Sequence, residues 1–136
     1  MHKLEHEIDR VRTAPQRLAA ARWLADHPLV YLACPYSDPD PAVQVERFEA
    51  ANRAAAMLLK EGYNVFSPIS MCHPIAVQAG LPGNFEFWER FDRAYLAVSN
   101  KLFVLRVPGW EISTGVNAEI QIAREKGITI LYIDPQ

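Results

Sequence analysis

Two acidic side chains fall among apolar neighbours at helical spacing, and this placement suggests chemistry. Glu119 lies three residues after Val116 and four before Ala123, so it falls on or beside the apolar face of a predicted helix. Asp92 lies four residues after Trp88 in the segment FEFWERFDRAYL, within an aromatic stripe. Two carboxyl groups that meet in one cleft can divide the roles of nucleophile and proton donor.

Each acid also has a plain structural explanation. Glu119 could be a boundary residue whose carboxylate reaches water or pairs with an arginine. Asp92 could be the ion-pair partner of Arg47, Arg90 or Arg93. The spacing alone leaves both explanations open.

Two loops carry candidate ligand donors. The loop ACPYSDPDP leads into a predicted helix and offers Tyr36 and Ser37, although a proline-rich turn explains it equally well. The stretch PGWEISTGVNAE places Ser113 and Gly115 at the start of the last helix, where backbone N–H groups can hold an anion. The alternative for Ser113 is ordinary capping of that helix.

His73 and Trp110 are second-rank candidates for contact with a ligand. Trp110 could stack on a flat ring or could simply pack its loop. Cys72 and His73 are adjacent, but no further Cys or His lies at the spacing that a zinc site needs, so we predict no metal and no cofactor.

The elements that must position these residues alternate between strands and helices. Strands are predicted at 29–33, 63–66, 101–107 and 128–133, and helices begin near Pro41, Asn84 and Ser113. This pattern is typical of an α/β, Rossmann-like (flavodoxin-like) three-layer domain with a four-stranded parallel sheet in the order 2-1-3-4. Ligands bind such sheets at the carboxyl ends of the strands that flank the switch point, here strands 1 and 3.

Some details of this prediction are local. The helix that runs from Pro41 to about Lys60 is expected to bury one face, and residues 67–83, with three prolines, are expected to form a long loop. The predicted buried face of the helix consists of Val45, Phe48, Asn52, Ala55 and Leu59. Residues 3–26 have helical periodicity that Pro15 divides in two. We therefore predict an N-terminal helical extension over 1–28 and one domain over 29–136.

Composition excludes several classes of function. The 136 residues carry a formal net charge of −2, so no broad basic surface for nucleic acid is expected. No apolar run approaches the roughly 20 residues of a membrane span, and the charged N-terminus lacks the apolar segment of a signal peptide. Cys34 and Cys72 are expected to be reduced thiols, and the protein is expected to be cytoplasmic.

The motifs together resemble a known superfamily. YLACPYS after the first strand, an Asp on the middle helix and the S-x-G-x-x-x-E of residues 113–119 resemble the nucleoside 2-deoxyribosyltransferases and the related 2′-deoxynucleoside 5′-monophosphate N-hydrolases. More closely, YLACPYS, VFSPISMCHPI and PGW resemble the DUF1937 family over about residues 29–134.

This resemblance implies roles for three residues. Glu119 matches the glutamate that attacks C1′ of the sugar and displaces the base, and Asp92 matches approximately the acid that contacts the leaving base. Tyr36 matches a tyrosine that orients the glutamate. The protein would then cleave or exchange the N-glycosidic bond of a nucleoside or nucleotide, as a homo-oligomer.

The sequence also departs from both subgroups. The transferases usually have an aspartate six residues before the glutamate, and Ser113 stands there in this chain. Ser113 and Gly115 are similar to the turn with which the hydrolases hold a 5′-phosphate, which gives a slight preference for a (deoxy)nucleoside 5′-monophosphate. Because neither set of site residues is complete, the alternative is a non-catalytic module that binds a nucleotide or a protein.

Overall fold

A computed structural model describes residues 13–136, and in this range strands and helices alternate as the sequence predicts. The strands are β1 (Leu29–Ala33), β2 (Asn64–Phe66), β3 (Lys101–Leu105) and β4 (Thr129–Ile133). The helices are α1 (Ala14–Asp26), α2 (Pro41–Lys60), α3 (Pro68–Ala79), α4 (Phe85–Ala97) and α5 (Thr114–Lys126), with a 3₁₀ turn at Trp110–Ile112.

The four strands form one parallel sheet in the order β2-β1-β3-β4, which confirms the predicted topology. In register, Tyr31 of β1 lies between Phe66 of β2 and Leu102 of β3. Strands β1 and β3 are central and apolar on both faces, as is typical of parallel strands covered on both sides. The switch point therefore lies between β1 and β3.

Helices cover both faces of the sheet and complete three layers. Val30 and Leu32 of β1 face α2, whereas the alternate residues Tyr31 and Ala33 pack with α4 and α5. Burial of these apolar side chains on both faces is the main source of stability for such a domain. The alternation also means that Tyr31 points to the α4–α5 side.

The buried face of α2 differs from the predicted one. Its buried residues are Ala50, Ala51, Ala54, Ala55 and Leu58. Of the predicted face only Ala55 is among them, and Val45, Asn52 and Leu59 are exposed. Small alanine side chains let the helix lie close against β1 and β3, and this outweighs the larger apolar residues on the adjacent face.

The prediction of a long loop at 67–83 is wrong, because most of this segment is α3. Pro68 occupies the first turn, where its missing N–H costs nothing, and Pro74 is accommodated inside the helix. Ile69 and Ala76 pack inward at helical spacing, and Gly80 ends the helix at φ 67°, in the left-handed region. Only the short link to α4 remains irregular.

The N-terminal prediction is tested only in part. Helix α1 begins with a capping box between Thr13 and Gln16 and has Pro15 in its first turn. It buries no residue, and its apolar side chains Leu18 and Leu24 are exposed. The rest of the predicted helical segment, residues 3–12, lies outside the described range, and the division at residue 28 stays a prediction. Within residues 13–136, none of the helices combines the length and the apolar character that crossing a membrane requires.

Candidate functional site

A cleft of about 540 Å³ opens at the carboxyl ends of β1 and β3, where the topology predicts a ligand site. The loops after both strands border it, and α3, α4 and the start of α5 complete its walls. Seven of the eight predicted site residues line this cleft: Tyr36, Ser37, His73, Asp92, Ser113, Gly115 and Glu119.

Glu119 lies in the second turn of α5 and is only 5% exposed. Ser113 fixes the start of this helix, because its hydroxyl accepts a hydrogen bond from the Val116 N–H. Val116 and Ile120 pack into the core on either side of Glu119 and hold it inward. The carboxyl group therefore neither reaches water freely nor pairs with an arginine among the described residues.

Asp92 approaches the same space from α4. The side chain of Asn84 caps this helix by accepting from the Phe87 N–H, and Asp92 is 8% exposed. Of the three arginines that the sequence suggested as its partner, Arg93 pairs with Glu89, and within residues 13–136 neither Arg47 nor Arg90 forms an ion pair with Asp92. The structure thus brings two buried acids together across the cleft, which the sequence left open.

Burial and proximity change the acidity of both carboxyl groups. Burial raises the pKa of Asp92 from 3.8 to about 6. Burial also raises the pKa of Glu119 well above its usual range, and the charge of Asp92 raises it further. Because two buried negative charges repel, the pair retains one proton at a pH at which exposed carboxyl groups have lost theirs.

Tyr31 is the third member of this cluster, and its place in an apolar strand gives no sign of this role in the sequence. Its side chain is fully buried, and its hydroxyl has no well-formed hydrogen bond within the described chain. The hydroxyl nevertheless lies close enough to both acids to lower the pKa of Glu119 and of Asp92, against the larger effect of burial. Burial first, and then the charges of the two acids, raise the pKa of Tyr31 itself, so it stays a protonated donor.

Replacing Tyr31 with phenylalanine should leave the free energy of unfolding within about 1 kcal/mol of the wild-type value, because no formed hydrogen bond is lost. The pKa values of both acids should rise, because the hydroxyl that lowers them is gone. Urea denaturation measures the first effect, and the pH dependence of any turnover measures the second. A large loss of stability with an unchanged pH profile would contradict this role.

The role of Tyr36 as the residue that orients Glu119 stays a prediction. The Tyr36 hydroxyl hydrogen-bonds Nδ1 of His73, whose ring also packs against Phe48 at 4.5 Å between centroids. The hydroxyl that acts on Glu119 is that of Tyr31. Ser37 donates to the carbonyl of Gly83 and so joins the first loop to the link before α4.

Side chains of the turn itself stabilise the start of α5. Ser113 caps the helix as described, and the Asn117 amide donates to the carbonyls of Glu111 and Ser113. The alternative of ordinary capping therefore applies to Ser113, while its hydroxyl hydrogen can still be given to a ligand. Gly115 lies in the first turn of α5 and lines the cleft, and the holding of an anion by this helix start stays a prediction.

Trp110 does not line the cleft. Its ring lies 5.6 Å from that of Tyr132 and packs against the α4–α5 side of the core. The structure thus favours the packing explanation of this residue over stacking on a ligand.

Neither cysteine has the properties of a nucleophile. Burial raises the pKa of Cys34 to about 12, and burial followed by the charge of Asp92 raises the pKa of Cys72 to about 11. Both thiols are free and stay protonated near neutral pH. Residues 13–136 also hold no group of three or more acidic, His or Cys side chains arranged for a metal ion.

Arg47 is another cleft residue whose role the sequence did not indicate. Its guanidinium donates to the carbonyls of Tyr36 and Ser37 in the first loop and to that of Pro108 after β3. In the sequence, only its position on α2, seven residues after the Asp40 cap, indicates that Arg47 lies near the first loop. It connects the two loops that border the switch point.

Comparison with known proteins agrees with this architecture. The structure is similar to that of a 2-deoxyribosyltransferase from the psychrotolerant bacterium Bacillus psychrosaccharolyticus, with a TM-score of 0.53 and 20% sequence identity. The match covers 78% of this chain and 72% of the transferase, and at this identity it establishes a shared fold. A search of curated proteins finds no match. The family model described as "Domain of unknown function (DUF1937)" matches residues 28–134, and the chain therefore belongs to the DUF1937 family.

Proposed function

We propose that the protein cleaves or exchanges the N-glycosidic bond of a nucleoside or nucleotide, with Glu119 as nucleophile. The observation that carries this proposal is the pair of buried acids, Glu119 and Asp92, at the switch point of the sheet. Burying two like charges costs stability, so a site that keeps them has a reason other than folding. The fold shared with a 2-deoxyribosyltransferase supports the same chemistry.

The proposed first step forms a bond between a Glu119 carboxylate oxygen and C1′ of the sugar. The bond between C1′ and the base nitrogen breaks, and its electron pair leaves with the base. The proton shared by the two acids lies on Asp92 in the reactive form, so Asp92 can give it to the departing base. Tyr31 then acts as a positioning residue that stabilises the Glu119 carboxylate.

The second step releases the sugar from Glu119. Water or a second base attacks C1′ and breaks the ester, and Asp92, now ionised, accepts the proton that the attacking group loses. Water gives hydrolysis, and a base gives transfer. The raised pKa of Asp92, about 6, suits a group that must both donate and accept near neutral pH.

The proposed substrate is a small molecule, with a slight preference for a (deoxy)nucleoside 5′-monophosphate. The N-terminus of α5 at the cleft, with Ser113 as its cap and Gly115 in its first turn, supports this preference. The expected homo-oligomer and the cytoplasmic location stay predictions. Exposed apolar side chains such as Val77, 67% exposed, and Ile112, 87% exposed, are consistent with a covering partner.

The first test is release of free base from a panel of nucleosides and 5′-monophosphates, ribo and deoxy, followed by chromatography. We expect release from at least one member and faster release from its monophosphate. A parallel panel with a second free base distinguishes transfer from hydrolysis. No release by folded protein from any member would reject the enzyme and leave the non-catalytic binding module.

A further inference from the structure

Acidic side chains outnumber positively charged ones on the wall of the cleft. Four carboxyl groups line it: Asp38, Glu86, Asp92 and Glu119. Of the described residues on its wall, Arg47 is the one with a permanent positive charge. A phosphate dianion would meet repulsion from this set of acids, so its binding needs a cation at the right place.

Arg47 is not neutralised by an acid. No carboxylate of residues 13–136 forms an ion pair with it, although Arg93 and Arg106 on the same chain have such partners. Within the described residues the Arg47 guanidinium donates to three backbone carbonyl oxygens, those of Tyr36, Ser37 and Pro108. A guanidinium has five N–H donors, so at least two of them are left for a ligand.

The surrounding backbone holds this guanidinium in place. Gly109 has φ +91°, in the left-handed region, and a Cβ added there would lie 2.8 Å from Nη2 of Arg47. Glycine thus lets the loop after β3 pass close to the arginine. That loop continues to the Ser113–Gly115 turn. The Arg47 guanidinium therefore lies at the start of the segment that leads to the N-terminus of α5.

We propose that Arg47 is the specificity-determining residue that makes the cleft prefer a 5′-phosphorylated nucleoside over the neutral nucleoside. This inference rests on the proposed function for the identity of the ligand. The guanidinium offers its remaining N–H groups to phosphate oxygens, and its charge offsets part of the negative charge of the acids that line the cleft. A neutral nucleoside needs neither contribution.

The test measures binding rather than turnover, so that it stays separate from the chemistry. Isothermal calorimetry on the Glu119→Gln protein, which should not consume the ligand, compares the four common deoxynucleoside 5′-monophosphates with their nucleosides. We expect at least one monophosphate to bind about 10- to 100-fold more tightly than its nucleoside. Adding Arg47→Gln should remove this difference while nucleoside binding changes much less.

Two further variants separate a ligand contact from a purely structural role. Arg53→Gln changes an exposed arginine on the same helix and should preserve the preference. Arg47→Lys keeps the positive charge but lacks the planar guanidinium, so it should keep part of the preference for the monophosphate. Three results would overturn the proposal. Arg47→Gln could weaken the binding of monophosphate and nucleoside equally, it could leave the preference for the monophosphate unchanged, or the parent protein could bind no monophosphate. If the proposed enzymatic activity is wrong, the base-release panel shows this instead, because no free base is released.

Discussion

Replacing Glu119 with glutamine should lower the rate of base release by at least about 10³-fold, because an amide cannot form the glycosyl ester. The exchange keeps the size of a side chain that is 5% exposed and removes only its ability to ionise. The rate is measured by chromatography on the best substrate of the panel.

The matched control is Glu125→Gln, which changes an exposed glutamate on the same helix. We expect this variant to release base at the wild-type rate. Circular dichroism establishes that both variants fold. A Glu119→Gln protein that keeps more than about a tenth of the wild-type rate would exclude Glu119 as nucleophile.

Replacing Asp92 with asparagine should slow base release by about 10²-fold or more, because a general acid contributes roughly 10²- to 10⁴-fold. In the wild type, the rate should fall only as the pH rises above the raised pKa of Glu119, since the pair of acids then loses the one remaining proton that the leaving base needs. The variant should lack this decline. An unchanged decline in Asp92→Asn would show that another group donates the proton.

The same variant makes an independent prediction about stability. Asp92 has a raised pKa in the folded protein, so the folded state binds its proton more tightly than the unfolded state does. The stability that this group contributes is fully present below pH 4 and is lost as the pH rises through about 6. Asp92→Asn should therefore be more stable than wild type at pH 8, by roughly 2–3 kcal/mol, and equal to it near pH 3.5. Urea titrations at the two pH values measure the difference, and a variant less stable at pH 8 would contradict it.

Much of the fold follows from local signals in the sequence. The apolar runs of β1 and β3 and the start signals at Asp40, Asn84 and Ser113 predict the sheet order and the helix boundaries. These signals are reliable because a cap or an apolar run acts through neighbouring residues. The position of the site follows in turn from the sheet order.

The errors arise where distant residues decide the outcome. Three prolines predicted a loop at 67–83, but packing of Ile69 and Ala76 inward makes most of it a helix. Which face of α2 points inward depends on how closely the helix approaches the sheet. The periodicity of the α2 sequence carries no information on that distance. Tertiary packing outweighs local propensity in both places.

The placement of the candidate site residues on one cleft was predictable to a similar degree. Glu119 and Asp92 were found because an acid on an apolar face is unusual in any sequence. Tyr31 was missed because a tyrosine in a strand is ordinary, and only the structure shows that its hydroxyl lies buried beside two acids. Trp110 was included because tryptophan in a loop often binds rings, but here Tyr132 takes that contact.

The proposed covalent bond between Glu119 and the sugar can be detected by mass spectrometry. The wild-type protein is incubated with 2-fluoro-2-deoxy analogues of the panel's best substrate, which slow the second step more than the first, and its intact mass is recorded. We predict a gain of one fluorinated sugar, located by peptide mapping on Glu119 and absent in Glu119→Gln. Release of base from the normal substrate without any such adduct, or an adduct on another residue, would contradict the account.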